Sequence, residues 1–363
     1  MKFKIIDDSQ TAPANIKVIG VGGGGSNAVN LMVVSNIKGV QFIAANTDSD
    51  ALKKSIAEHK IQLGPRLTKG QGSGAKPEIG KQATEESAST IEQMLTGTDM
   101  VFITAGMGGG TGTGGAPVVA KIAKALGILT VGVVTKPFMW EGKVKMAIAE
   151  EGIKELKAYT DALIEIPNQR LFAIIDEETL ATQTFEKANE VLKKAVQSIS
   201  DVITSHGMIN VDFQDVKTIM SNTGDALLGF GEASGEDRAT IATKMAITSP
   251  LLEDVSIEGA KGVLVNVTGN SKDLKMSEID TAMSIIHGTV SPEAHLIYGQ
   301  VYDDELDNKF KITVIATGFL GGKKLVKQKR DAYIEEKKIN SFVPDKENLE
   351  IPAYKRIKVR KLR

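Results

Sequence analysis

Residues 100–126 read MVFITAGMGGGTGTGGAPVVAKIAKAL. The apolar run 100–103 predicts a buried strand, and 117–126 predicts a helix with Pro117 in its first turn, where a missing N–H is harmless. Between them, seven of the eleven residues from Ala105 to Gly115 are glycine. Each ordered glycine costs extra conformational entropy, so this density marks a demanding backbone geometry rather than a simple reversal. Successive N–H groups there can form an anion-binding concavity, with Thr111 and Thr113 adding hydroxyl donors.

A second glycine loop lies upstream. Gly20-Val21-Gly22-Gly23-Gly24-Gly25 follows the apolar run 16–19 and precedes a helical pattern at 27–34. It fits G-x-G-x-x-G, which brings backbone N–H groups and a helix N-terminus up to a phosphate. Alone the motif is a weak signal that a glycine-rich surface turn also fits, and Asp48 stands where a dinucleotide fold keeps its ribose-binding acid. A dinucleotide fold needs one such loop; two suggest a di- or triphosphate gripped from both sides. No G-x-x-x-x-G-K-[ST] is present, so the chain is not a P-loop NTPase.

Further strands are expected at 40–44, 128–135 and 163–166, with helices around 49–58, 78–95 and 143–156. The alternation argues for an α/β fold with a parallel sheet covered on both faces. A long helix is expected from 178 to 205, with Phe185, Ala188, Leu192, Ala195, Ile199 and Ile203 on one face and Gly207 as its stop. Strands at 262–268, 295–302 and 310–317, separated by helices near 235–248 and 277–287, predict a second α/β domain with a mixed sheet. Beyond Gly322 the periodicity stops, and 323–348 reads as a flexible, disordered linker before a short segment at 349–363.

The 363 residues carry 44 Lys and Arg against 45 Asp and Glu and no Cys. That excludes disulfides, thiolate metal sites and a Cys nucleophile. The near-zero charge conceals a division: residues 321–363 hold 14 basic and 6 acidic side chains, leaving 30 against 39 in residues 1–320. The acidic body is not expected to attract nucleic acid. The basic tail is suited to weak, salt-sensitive contact with anionic lipid. No run approaches the apolar length of a membrane span, and the N-terminus does not read as a signal peptide, so a cytoplasmic protein is expected. The four His have no metal-ligand spacing.

The segments GVGGGGSNA at 20–28 and GGGTGTG at 108–114 resemble the tubulin/FtsZ family, as do TKPF at 135–138, NVDFQD at 210–215 and SPLL at 249–252. The resemblance runs from about 16 to 318. It implies a flexible N-terminus at 1–14, a Rossmann-like GTP-binding domain at 15–176 and a central helix at 177–207. A GTPase-activating and polymerisation domain at 208–318, a linker at 319–348 and a partner-binding tail at 349–363 would follow. The implied activity is hydrolysis of GTP to GDP and phosphate, with Mg²⁺ held through the phosphates and no protein ligand to the metal. Such chains polymerise head to tail into filaments of the cell-division (Z) ring at mid-cell.

By matching position, the nucleotide would be held by Gly22, Gly23, Gly24, Gly25, Ser26 and Asn27, then Gly108, Gly109, Gly110, Thr111, Gly112 and Thr113. Asn46 and the 72–77 loop would approach the γ-phosphate, Glu141 the ribose, and Phe185 and Asn189 the base. Lys145 replaces a common Arg, turning a bidentate contact into a point charge. Lys76 likewise replaces a common Asn.

Asn210, Asp212 and Asp215 would act catalytically on the nucleotide of a neighbouring subunit. On their spacing alone, the two acids read as ordinary first-turn residues of a helix. In the tail, Ile351, Pro352, Tyr354, Lys355 and Arg356 resemble the peptide that docks on membrane-tethering division proteins such as FtsA. Two rival readings remain: an NAD-dependent oxidoreductase built on the first loop, and a nucleotide-binding scaffold that does not hydrolyse.

Overall fold

The computed structural model describes residues 14–173, 175, 179–204, 211–252 and 257–319. Strand β1 (Ile16–Val21) runs into helix α1 (Gly22–Val34), followed by β2 (Val40–Asn46), α2 (Ser49–Lys54), β3 (His59–Gln62) and the short α3 (Pro65–Thr68). Next come α4 (Pro77–Glu86), α5 (Ala88–Leu95), β4 (Met100–Gly106), α6 (Thr111–Ala125), β5 (Leu129–Lys136), α7 (Lys143–Lys157) and β6 (Ala162–Pro167). The long α8 (Ala181–Thr204) precedes α9 (Phe213–Met220), β7 (Gly224–Ser234), α10 (Arg238–Ile247) and β8 (Gly262–Gly269). Helix α11 (Met276–His287), β9 (His295–Tyr302) and β10 (Lys309–Thr317) complete the described chain.

The strands form one ten-stranded sheet in the order β3-β2-β1-β4-β5-β6-β7-β10-β8-β9. From β3 to β7 every pairing is parallel, and β10 then runs antiparallel to both β7 and β8. The central strands are buried on both faces, which is why they read as continuous apolar runs. In β1, Ile16 and Val18 join one core and Ile19 and Val21 the other, following the two-residue strand period. Helix α8, 24 residues long and about 36 Å by its rise per residue, packs Leu192, Ala195, Ile199 and Val202 into the first core. Leu264, Ile297 and Ile315 of the mixed half, where β8 and β9 pair parallel, lie in that same core.

The α/β class and mostly parallel sheet follow the sequence expectation; four local readings do not. The expected helix at 49–58 ends at Lys54, because Asn30 of α1 captures the Ser55 hydroxyl and the Ile56 N–H at 2.9 and 3.0 Å. The expected helix at 78–95 breaks at Ser87, whose hydroxyl accepts the Gly64 N–H at 3.0 Å.

Pro117 is not in a first turn. Helix α6 begins at Thr111, so Pro117 lies inside it and the glycines of 111–115 are helical. They are needed for packing: a Cβ on Gly114 would collide with the Pro77 carbonyl of α4. Strand β7 was not expected, since its glycines weaken the strand signal. A Cβ on Gly229 or Gly231 would strike the carbonyls of Ala246 and Ala242, so these glycines let α10 lie directly on the strand. The expected stop at Gly207 lies outside the described residues. Among those residues, no helix is long and apolar enough to cross a membrane.

Candidate functional site

Strand order reverses between β1 and β4, and the crevice beyond the carboxyl ends of such strands is where α/β sheets bind ligands. Both glycine loops leave the sheet there. Gly22 takes φ +73° and Gly108 φ +97°, conformations that side-chain-bearing residues rarely adopt. The loops touch: a Cβ on Gly22 would lie 2.8 Å from the Gly112 nitrogen. Helices α1 and α6 therefore start side by side, neither with a side-chain cap. Their first-turn N–H groups carry the partial positive charge that stabilises an anion.

The loops open into a cleft of about 400 Å³. Of the expected nucleotide residues, Gly23, Gly24, Asn27, Gly109, Gly110, Thr111, Gly112, Glu141, Lys145, Phe185 and Asn189 line it. Gly22, Gly25, Ser26, Asn46, Gly108 and Thr113 stand behind that surface. Two of these already have local work: Thr113 Oγ1 accepts the Gly108 N–H at 2.9 Å, and Asn46 Oδ1 accepts the Asp48 N–H at 3.3 Å. Ser26 is buried with no partner for its hydroxyl.

Phe185 and Asn189 sit one turn apart on α8 and share a face. The Phe185 ring is 44% exposed and held edge-on by Phe138 and Trp140, with centroids 5.6 and 6.2 Å away. That leaves surface for a planar base, for which aromatic stacking is suited. Glu141 is engaged on both oxygens: Oε1 accepts the Phe138 N–H at 2.8 Å and Oε2 pairs with Lys145. Lys76 is exposed and is not part of the cleft lining.

Ser73, within the expected 72–77 loop, also lines the cleft, as do Thr135 and Asn168, which sequence reasoning passed over. Asn168, 5% exposed, has no hydrogen-bond partner for its Oδ1. A buried acceptor left unpaired beside a cleft fits a ligand that donates to it. The open loop glycines fit a polyphosphate: a Cβ on Gly23 or Gly109 would meet nothing within 4 Å. No set of three His, Asp or Glu suited to a metal occurs among the described residues.

Asp48, the acid a dinucleotide site would use, instead caps α2 by accepting the Asp50 and Ala51 N–H groups at 2.9 and 3.1 Å. It does not line the cleft.

Asp212 and Asp215 lie elsewhere. Helix α8 starts at the cleft and ends at Thr204, which packs against Gly39, just before β2 begins. At the end of α9, the Thr223 and Gly224 N–H groups bond Asp161, just before β6. Asp212 and Asp215 open α9 at this opposite edge of the sheet. Both are exposed, and neither carboxylate has a hydrogen-bond or ion-pair partner among the described residues. Asp212 occupies the N-cap position of α9 without a side-chain cap bond. Asn210 and the tail residues Ile351, Pro352, Tyr354, Lys355 and Arg356 lie outside the described residues.

Residues 15–176 match the model of the tubulin/FtsZ family GTPase domain, and residues 224–320 that of the FtsZ family C-terminal domain. Among solved structures, an empty FtsZ dimer from M. jannaschii is 45% identical, with a TM-score of 0.82, covering 85% of this chain and 89% of that one. A point mutant of FtsZ from the same organism is 44% identical at the same TM-score, with 85% and 92% coverage. CetZ1 of Haloferax volcanii, a GDP-bound monomer, shares the fold at 20% identity and TM-score 0.74, over 89% of this chain and 99% of that one. This chain belongs to the tubulin/FtsZ family of GTPases, with both the GTPase domain and the FtsZ-type C-terminal domain.

Proposed function

We propose that the chain is a self-assembling GTPase that polymerises head to tail into filaments of the cell-division ring, with each active site shared between two subunits. One observation carries the reading. Among the described residues, the only carboxylate lining the phosphate cleft is Glu141, which is committed to Lys145 and the Phe138 N–H. Asp212 and Asp215, neither of them engaged by a partner among the described residues, stand at the opposite edge of the same chain.

Phosphoryl transfer depends on positioning the attacking water and stabilising charge on the transferred group. The glycine loops and helix N-termini supply the second requirement, and a carboxylate brought by a second copy supplies the first. Mg²⁺, bound through the phosphates, would neutralise charge on their oxygens. A top-to-bottom contact is heterologous and does not close, so it propagates as a filament. Nucleotide trapped in that contact lets hydrolysis weaken it. The tail 349–363, with Ile351, Pro352 and Tyr354 between basic residues, would dock on a membrane-tethering division protein, aided by anionic lipid.

The test is GTP turnover per subunit across a protein concentration series, with light scattering in the same samples. The reading expects turnover near zero below a critical concentration and rising with scattering above it. Turnover independent of concentration would overturn the shared site, and assembly with GTP but no phosphate release would favour a non-hydrolysing scaffold.

A further inference from the structure

Helix α7 carries a buried glycine in its interior, Gly152. A glycine there weakens a helix relative to alanine, so its use has to be explained by what it meets. A Cβ built on Gly152 would lie 2.2 Å from Thr113 Cγ2, 3.1 Å from Met107 Cε and 3.2 Å from the Thr113 carbonyl oxygen. The Met107 methyl ends a flexible chain and can give way; the Thr113 methyl sits on a branched, stiff one. Helix α7 therefore comes too close to the second glycine loop for a side chain at this position.

Two turns earlier on the same face, Lys145 makes the reverse contact. Its carbonyl oxygen and its Cγ would each lie 2.8 Å from a Cβ on Gly108. The loop thus receives α7 at Gly108, and α7 receives the loop at Gly152.

The contact at Gly152 bears on one hydrogen bond. Thr113 Oγ1 accepts the Gly108 N–H at 2.9 Å, and the pair is buried. A threonine side chain has a single rotor, χ1, which carries Oγ1 and Cγ2 together. Turning Cγ2 away from a group at position 152 would swing Oγ1 off the Gly108 N–H. The acceptor is held in place from behind, by the space that Gly152 leaves. Gly108 matters to the cleft because it takes φ +97° between Met107 and Gly109, both of which line it.

From this we infer that Gly152 is a positioning residue for the second glycine loop: it fixes the Thr113 rotamer, which holds the Gly108 turn in the form that receives phosphate. Gly152 itself does not line the cleft. The consequence for binding rests on the nucleotide reading above, whereas the contact between helix and loop can be read without nucleotide.

The test compares the full chain with four variants, by amide hydrogen exchange without nucleotide and by calorimetric binding of GDP. Gly152→Ala is expected to speed exchange at Gly108 about tenfold and to weaken GDP about fivefold, the worth of one hydrogen bond. Thr113→Val, which keeps the shape and removes the acceptor, is expected to do the same. Thr113→Ser deletes the Cγ2 that the new methyl would strike and keeps Oγ1. Adding Gly152→Ala to Thr113→Ser is therefore expected to change both readings by less than about twofold from Thr113→Ser alone. If Gly152→Ala by itself does not fold, a double variant that folds and matches Thr113→Ser supports the inference, and one that does not overturns it. Unchanged Gly108 exchange in Gly152→Ala or Thr113→Val, or a double variant as impaired as Gly152→Ala, would also overturn it. Failure of the unaltered chain to bind GDP would overturn the nucleotide reading instead, with the exchange result still deciding the contact.

Discussion

At the carboxyl edge of the parallel strands, the one acid that lines the cleft among the described residues is already held. Glu141 braces a turn, and behind the cleft Thr113 shapes its own loop and the glycines of α6 let α4 pack against it. At the opposite edge, Asp212 and Asp215 project into solvent from the first turn of α9 with no partner among the described residues. A cleft with donors but no free acid, and acids with no cleft, are the two halves that the proposed shared site would bring together from two copies. Under that reading, positioning a ligand and supplying a catalytic group are divided between opposite edges of one sheet.

The largest expected effect comes from removing the acid. Asp215→Ala is expected to lower GTP turnover by about a hundredfold or more while leaving nucleotide affinity within about twofold, because the residue lies outside its own chain's cleft. A matching loss of affinity, read by equilibrium binding, would mean that the two edges are not separate.

Gly114→Ala and Gly109→Ala divide the glycine loop in the same manner. The first drives a Cβ into the Pro77 carbonyl and is expected to cost about 2–3 kcal/mol in denaturant unfolding, as overpacking does. The second adds a methyl in open space and is expected to leave stability within about 0.5 kcal/mol while reducing phosphate affinity. Phe185→Ala is expected to weaken GTP and GDP alike by about tenfold, through the lost stacking face.

The smallest effect concerns α8, which joins the two edges. Burial raises the Asp201 carboxyl to about 6, opposed by the Gln197 hydrogen bond and reinforced by the Asp303 charge. The folded chain therefore holds this proton more tightly than the unfolded chain, whose carboxyl titrates near its ordinary value of about 4. The stability involved is fully present below about pH 4 and is lost as pH rises through about 6. Asp201→Asn is expected to raise stability by about 1 kcal/mol at pH 8, with a smaller gain at pH 5, in paired denaturation curves.

Much of this architecture was legible from residue order. The apolar runs at 16–19 and 100–103 are buried on both sides, and burial on both sides is what a continuous run encodes. The amphipathic repeat from Phe185 to Ile203 gave α8 because one helical face packs across both halves of the sheet. Strand β7 escaped because Gly229 and Gly231 answer to the approach of α10, a tertiary demand that no strand propensity contains. The start of α6 escaped for the same reason.

In the cleft, glycine spacing identified the loops. Asn168 carried no signal, since a lone Asn resembles any turn residue until the fold sets it against a cavity. The position of Asp212 and Asp215 could not be read locally either. Only the length of α8, taken from the cleft to the far edge, separates them from the site they would serve.

The most direct test of that division mixes two defective chains. Asp215→Ala keeps an intact cleft, and Gly109→Asp, placing a carboxylate where a Cβ meets nothing within 4 Å, spoils the cleft while leaving the far edge intact. Each alone is expected to turn over GTP at under about 1% of the unaltered rate. If copies pair at random, an equal mixture is expected to recover up to about a quarter of it, since that share of contacts joins a sound cleft to a sound Asp215. A mixture no more active than its separate components would contradict a site completed by a second copy.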